Sequence, residues 1–235
     1  ILAKNRKRLC CIPGRIFNGI IMANYLGFCF IDAAEVIRFH EDGSLDDEKT
    51  NELLSLRLEG EEFAVIPGFY GAKEDGTIVT FSRGGSDITG SLVARAAMAD
   101  LYENWTDVSG FLMADPKIVD HPKQITHITY SELRELSYMG ASVLHEEAIF
   151  PVKEANIPIH ILNTNHPEDP GTIIQERTNI KIHMRLPELP ERGLCLYHIF
   201  ISKHMSSEVG YIRKVLSIWR CTMSAWNIFQ AVSIR

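Results

Sequence analysis

No stretch of about 18 consecutive apolar residues occurs in the 235-residue sequence, so nothing in it is long enough to cross a membrane as a helix. The N-terminus also lacks the basic, apolar and small-residue series of a signal peptide. Cysteine is sparse and unpaired by pattern: Cys10, Cys11, Cys29, Cys195 and Cys221 form no CxxC pair and have no histidine at zinc-ligand spacing. That excludes a disulfide framework and predicts free thiols in a reducing compartment, hence a cytoplasmic protein. There is no His-Glu-x-x-His arrangement among the nine histidines, and His145-Glu146-Glu147 reads as a helix start rather than a metal site. A basic stripe is missing too. The net charge is -6, and the one basic cluster, Lys4 to Arg8, has no interleaved aromatics, so nucleic acid is not an expected partner.

What remains is an ordinary globular composition, 46% hydrophobic and 23% charged, with no low-complexity tract. The length suits one large domain plus a remnant. From about Phe17 to Ile174, short apolar strand-like runs alternate with helical patterns, the mark of an α/β domain with a largely parallel sheet. A first helix is predicted from Phe17 to Leu26, stopped by Gly27, with a buried strand from Phe28 to Ile31. A second helix is predicted over Asp46 to Leu58 with Ser44 as N-cap. Phe63 to Ile66 reads as a strand, and Asp75-Gly76 as the turn of a hairpin whose second arm is Thr77 to Phe81. A helix from Ser86 leads to a strand at Leu101 to Trp105, expected to be central and paired on both sides. Thr129 and Glu132 form a capping box before Leu133. Another helix follows Gly140, and Ile159 to Leu162 reads as the last strand of the domain.

Two loops carry candidate chemistry. In Arg83-Gly84-Gly85-Ser86-Asp87, between a strand and a helix start, two glycines allow close backbone approach, and the helix N-terminus offers unpaired N–H groups to an anion. Arg83 adds a planar donor fork suited to carboxylate or phosphate. The residues alone leave a structural turn and an anion site equally open, with Asp87 a candidate N-cap. Trp105-Thr106-Asp107-Val108-Ser109-Gly110, followed by Met113-Ala114-Asp115-Pro116, falls beyond the carboxyl end of a strand, where ligands of open α/β sheets bind. Taken by itself it reads first as a plain turn-rich loop.

Together, Phe81 to Gly90, Trp105 to Gly110 and Gly140-Ala141-Ser142-Val143-Leu144-His145 resemble three successive signatures of the aspartokinases, within the amino-acid kinase superfamily. The resemblance runs from about Gly14 to Thr172 and takes in Ile66-Pro67-Gly68-Phe69 and Asn163 to Gly171. It implies an α/β, three-layer amino-acid kinase-like fold. It also implies transfer of the γ-phosphoryl group of ATP to the side-chain carboxylate of L-aspartate, the first step of lysine, threonine and methionine biosynthesis. By the same resemblance Arg83, Gly84, Gly85 and Ser86 would bind the amino-acid substrate, and Asp87, the catalytic residue, would orient basic groups around the transferring phosphoryl. Thr106, Asp107, Leu112, Lys117, Ser142 and Val143 would line the nucleotide. Magnesium would accompany the ATP phosphates, no protein metal site is implied, and the complete form would be a homo-oligomer.

The sequence departs from the pattern in three places. No Lys-Phe-Gly-Gly-Ser/Thr loop is present, so the domain is expected to be incomplete at its N-terminus. Arg15 stands where the family has a glutamate facing the substrate ammonium, which reverses the charge there. Ser142 replaces a nucleotide-contacting lysine of many relatives. Prolines at Pro187 and Pro190 mark a linker, giving expected units of 1–176 (kinase-like domain), 177–196 (linker) and 197–235. In the last, a strand at Tyr197 to Ile201 and a helix at Glu208 to Ile218 resemble the opening of an ACT-like α+β regulatory domain, with Trp219 and Trp226 as packing residues. The alternative to an impaired aspartokinase is a non-catalytic fragment or degenerate paralogue that serves as a nucleotide-binding or oligomerisation module.

Overall fold

The structure, a computed structural model, describes residues 12–114, 119–138, 144, 146–176 and 199–202. The predicted helix at Glu208 to Ile218, both tail tryptophans and the Pro187 to Pro190 linker lie outside the described residues.

Helix α1 (Ile12–Leu26) begins five residues before the predicted Phe17. Pro13 sits in its first turn, where a missing N–H costs nothing and the fixed φ favours the helix. Gly27, at φ +72°, ends it. Strand β1 (Cys29–Phe30) follows, then a single turn α2 (Ala33–Val36), whose N-cap Asp32 accepts from Ala34 N at 2.9 Å. Helix α3 (Asp47–Leu58) is capped by Asp46, whose Oδ1 accepts from Lys49 N at 3.0 Å, and not by Ser44. Ser44 is taken up instead by the preceding turn, where its N and Oγ both donate to Asp42. Leu54 and Leu58 are buried on the inner face of α3, each contributing about 2 kcal/mol of apolar burial.

Strand β2 (Phe63–Ile66) pairs parallel with β1. The hairpin β3 (Tyr70–Ala72) and β4 (Ile78–Thr80) turns at Asp75-Gly76 as the sequence predicts, with Asp75 accepting from both N and Oγ1 of Thr77 at 2.8 Å. Helix α4 (Gly85–Ala96) is buried along most of its circumference and packs against α3 on one side. Its other neighbour is α6 (Glu146–Glu154), where Pro151 interrupts the helical ladder and Val152 N donates to Ser91 Oγ at 3.3 Å.

The second sheet has the order β5-β9-β10-β8, formed by β5 (Tyr102–Thr106), β8 (His127–Thr129), β9 (Ile159–Asn163) and β10 (Thr172–Gln175). Every residue of β9 and β10 is buried, as expected of strands covered on both faces. The pairs β5/β9 and β8/β10 are parallel and β9/β10 antiparallel, so the α/β class holds with a mixed, mostly parallel arrangement. One expectation needs correction. The last strand of this sheet is Thr172–Gln175, not Ile159–Leu162: its two central isoleucines are too short a run to announce a strand, and its pairing is supplied by neighbouring β9 and distant β8. Among the described residues β5 pairs with β9.

Strands β6 (Phe111–Leu112) and β7 (Gln124–Ile125) form a small antiparallel ribbon. Helix α5 (Tyr130–Tyr138) carries the predicted capping box, with Thr129 N donating to Glu132 Oε2 at 2.8 Å and Glu132 N to Thr129 Oγ1 at 3.2 Å. Strand β11 (Ile199–Ser202), which overlaps the predicted tail strand Tyr197 to Ile201, lies antiparallel against β2 and joins the first sheet. The core gathers between these layers around Ile66, Leu92, Tyr102, Ile159, Ile161 and Ile174, all fully buried.

Candidate active site

The Arg83 to Asp87 segment crosses from β4 into α4. Gly84 caps the helix in the left-handed region, at φ 57°, with no side-chain hydrogen bond, so the Asp87 capping alternative does not hold. Asp87 instead lies in the first helical turn, where a carboxylate meets the positive end of the helix dipole. Gly85 is required by close packing. A Cβ there would lie 2.8 Å from Phe81 Cβ and 3.1 Å from Phe69 Cα.

Phe69 itself holds φ 92°, uncommon for a bulky residue. Its backbone is pinned on both sides. Phe69 N donates to Thr89 Oγ1 at 3.2 Å, and Phe69 O accepts from Phe81 N at 3.1 Å. Strain of this kind persists only where the surroundings fix it, and here the Phe69 ring carries the Arg15 guanidinium 4.9 Å above its centroid. Arg15 Nη1 also donates to Ser86 Oγ at 3.1 Å. Two residues 71 apart in sequence are thus brought together. Arg83 and Ser82 are exposed beside them, and Ser86 and Asp87 are half-buried.

Beneath Asp87, the buried Asn104 Nδ2 donates to Asp87 Oδ1 at 3.2 Å and to Tyr102 Oη at 3.1 Å, while Tyr102 Oη donates to Asp87 O at 3.3 Å. Gly90 makes room for this: a Cβ there would stand 2.5 Å from Tyr102 Oη. Strand β5 therefore reaches the first turn of α4 through two polar side chains on one face, Tyr102 and Asn104.

The Thr106 to Gly110 loop leaves the other end of β5. Thr106 is half-buried, Asp107 and Val108 are exposed, and Thr106 Oγ1 donates to Asp107 Oδ1 at 3.3 Å. Thr106 O accepts from Thr164 N at 2.8 Å and from Thr164 Oγ1 at 3.0 Å. Ser109 Oγ donates to Asp169 and accepts from Asn163 Nδ2 at 2.8 Å. Gln124 Nε2 donates to Ser109 O, and to Gly171 O at 3.2 Å. Leu112 is exposed at the start of the β6/β7 ribbon. Lys117, Ser142 and Val143 lie outside the described residues.

Sequence reasoning assigned no role to Asn104, Asn163, Asp169 or Gln124. Asn104 had a signal, a polar residue inside a strand pattern, and Asn163 to Gly171 was marked only as a stretch. Among the described residues no group of three or more His, Cys, Asp or Glu could hold a metal ion, and no helix is long and apolar enough to cross a membrane.

Comparison with known proteins places this geometry. The sequence profile described as "Amino acid kinase family" matches residues 4–163. Aspartokinase 3 of Bacillus subtilis is 44% identical over 173 residues, 73% of this chain and 37% of that protein. Lysine-sensitive aspartokinase 3 of Escherichia coli is 35% identical over 171 residues, 71% of this chain and 37% of that protein. Among solved structures, aspartate kinase from Clostridium acetobutylicum superposes with a TM-score of 0.66 at 59% identity, covering 71% of this chain and 38% of that one. E. coli aspartokinase III in complex with aspartate and ADP superposes with a TM-score of 0.58 at 31% identity, covering 64% and 35%. The chain therefore spans well under half the length of these relatives.

Proposed function

This chain belongs to the amino acid kinase family, and on that premise we propose that it carries the acceptor and nucleotide subsites of an aspartate kinase. Phosphoryl transfer from ATP to the side-chain carboxylate of L-aspartate would be the first step of lysine, threonine and methionine biosynthesis. The single observation that supports this best is Asp87 in the first turn of α4, held there by Asn104 of β5, with the Thr106 loop leaving the end of that same strand. Such transfer depends on positioning and on neutralising charge rather than on covalent chemistry by the protein.

In this reading Arg83 pairs with a carboxylate of aspartate, and Ser86 and the backbone of Gly84 and Gly85 complete the acceptor contact. Asp87, the catalytic residue, is held by Asn104 so that its carboxylate orients cations around the moving phosphoryl group. Thr106, Asp107 and Leu112 face the nucleotide, joined by Lys117, Ser142 and Val143. Magnesium is typically held by one or two carboxylates together with substrate phosphates, so it would enter with ATP and neutralise the phosphate charge there. Residues 1–176 form the kinase-like unit, 177–196 a linker, and 197–235 the opening of an ACT-like unit. In this reading the whole protein is a homo-oligomer, as the family resemblance implies.

Arg15 favours a second reading, a nucleotide-binding module with impaired turnover. A guanidinium on Ser86 presents positive charge where an amino-acid substrate brings its ammonium, a repulsion on the order of 1 kcal/mol or more in a partly desolvated pocket. Calorimetric titration with Mg·ATP and with L-aspartate, beside a coupled assay for ADP release, separates the two. Binding of both with turnover supports the kinase. Nucleotide binding alone supports the module, and binding of neither overturns both. Arg83→Ala should cost aspartate binding about 2 kcal/mol through a lost charged hydrogen-bond pair and leave ATP affinity unchanged. Weaker ATP binding with aspartate spared would move Arg83 to the nucleotide side.

A further inference from the structure

We propose that Ser109 and Asp169 are positioning residues for the nucleotide subsite, holding the Thr106 to Phe111 loop in its binding shape. The proposal rests on reading that loop as the nucleotide contact.

The loop makes its attachments to one distant stretch, residues 163–172, and to the β7 glutamine. Ser109 is the centre of the set. Its hydroxyl donates to Asp169 Oδ2 and accepts from Asn163 Nδ2 at 2.8 Å, while its carbonyl accepts from Gln124 Nε2. On the near side Thr164 fixes Thr106 O through two hydrogen bonds. On the far side Phe111 N donates to Thr172 Oγ1 at 2.9 Å. Gly110, at φ +98°, lets the backbones meet: a Cβ there would lie 2.2 Å from Thr172 Oγ1. Gly171, at φ +68°, presses in the same way on β9, with a would-be Cβ 2.0 Å from Ile161 O.

Asp169 brings the one ionisable side chain of this clasp. A hydroxyl donating to a carboxylate is a charge-assisted bond, stronger than its neutral neighbours. Its effect is on the loop and not on the core, since Asp169 and Ser109 are only half-buried and belong to no apolar cluster. The clasp leaves the tip, Asp107 and Val108, exposed on a fixed base. A loop already held in its bound shape does not pay the ordering entropy when a ligand arrives, so the clasp should raise affinity without touching the ligand. It should also sharpen base selection, because a fixed edge discriminates where a mobile one adapts.

The test uses the whole 235-residue chain and Mg·ATP, titrated calorimetrically, with Mg·GTP as competitor. Ser109→Ala and Asp169→Leu should each weaken ATP binding about tenfold and reduce the ATP-over-GTP preference. The conservative partners, Ser109→Thr and Asp169→Asn, retain a hydroxyl and an acceptor and should restore affinity to within about threefold of the parent. Amide exchange at residues 106–111 should quicken in the first pair and not in the second. Should Asp169→Leu fail to fold, Ser109→Ala against Ser109→Thr carries the comparison. Unchanged ATP affinity and selectivity in Ser109→Ala, with exchange quickened or not, would overturn the proposal alone. A parent chain that binds no nucleotide would overturn the reading beneath it and the proposal with it.

Discussion

At the N-terminus of α4 the main chain is shaped largely by its own neighbourhood. Gly85 O accepts from Thr89, four residues on, Phe69 N finds Thr89 twenty residues away, and Asp87 is met by Asn104 across seventeen. The Thr106 to Phe111 loop is shaped from afar, by partners 54 to 61 residues along the chain at Asn163, Thr164, Asp169 and Thr172. The first region sets exposed Arg83, and half-buried Arg15 reaching Ser86 from 71 residues away, on a main chain that is determined locally. The second exposes a short tip on a clasp, so its backbone is what cannot change.

The sharpest way to break that comparison is to add single methyl groups. Gly110→Ala and Gly171→Ala each combine left-handed backbone strain with a contact far inside van der Waals distance, at 2.2 Å and 2.0 Å. Strain and overpacking each cost about 1–3 kcal/mol, so either variant should lose about 3 kcal/mol or more. Gly76→Ala, at φ +83° in open space on the β3/β4 hairpin, carries the strain alone and should lose about 1 kcal/mol. Urea midpoints at constant slope measure all three. Equal losses would mean that the clasp gives way and that the two regions do not differ in rigidity.

A smaller effect probes the link between them. Tyr102→Phe removes the hydroxyl that donates to Asp87 O and accepts from Asn104, leaving a buried amide short of a partner. The cost should be about 1–2 kcal/mol, seen in the same denaturation series. If the loss is instead within about 0.3 kcal/mol of zero, the Tyr102 hydroxyl adds nothing to the anchor of α4 on β5, and Asn104 alone holds Asp87.

The same contrast decides what could be read from the sequence. Helix α4, the Asp75-Gly76 hairpin and the Thr129/Glu132 capping box are legible because their determinants lie within a few residues of one another. Arg83 to Asp87 is legible as a candidate for the same reason, and the position of Arg15 came only through resemblance. Strand β10 was missed because two isoleucines say little until β8 and β9 flank them. The clasp was missed because Ser109, Asp169 and Gln124 are each ordinary loop residues, and only their meeting gives them a role. Ser44 reads as a cap in the sequence because serine is a good one. Asp46 lies closer to the helix and competes better, and the Asp42 turn had already claimed the serine.

The smallest expected effect concerns acid stability, and it asks whether the two regions differ in their turns as they do in their loops. Asp75 closes the β3/β4 hairpin turn and Glu132 closes the α5 cap beyond β8. Each carboxyl is held below its ordinary value, 3.8 for Asp75 and 4.5 for Glu132, first by a backbone N–H and then by a threonine hydroxyl. A carboxylate depressed in the folded state binds its proton more readily when unfolded. Its contribution is therefore present in full above the unfolded value, and is lost as pH falls through the folded one. The melting temperature should accordingly hold above about pH 5 and decline below about pH 4. Asp75→Asn and Glu132→Gln should each lower the neutral-pH plateau slightly and flatten the acid decline. Because the two turns share no partner, the double variant should show the sum of the two effects. Like donors on both carboxylates give the two decrements the same sign. A decline that persists unchanged in the double variant would assign acid sensitivity to other carboxylates, and a decline removed by Glu132→Gln alone would show the two regions to differ in charge as well as in backbone.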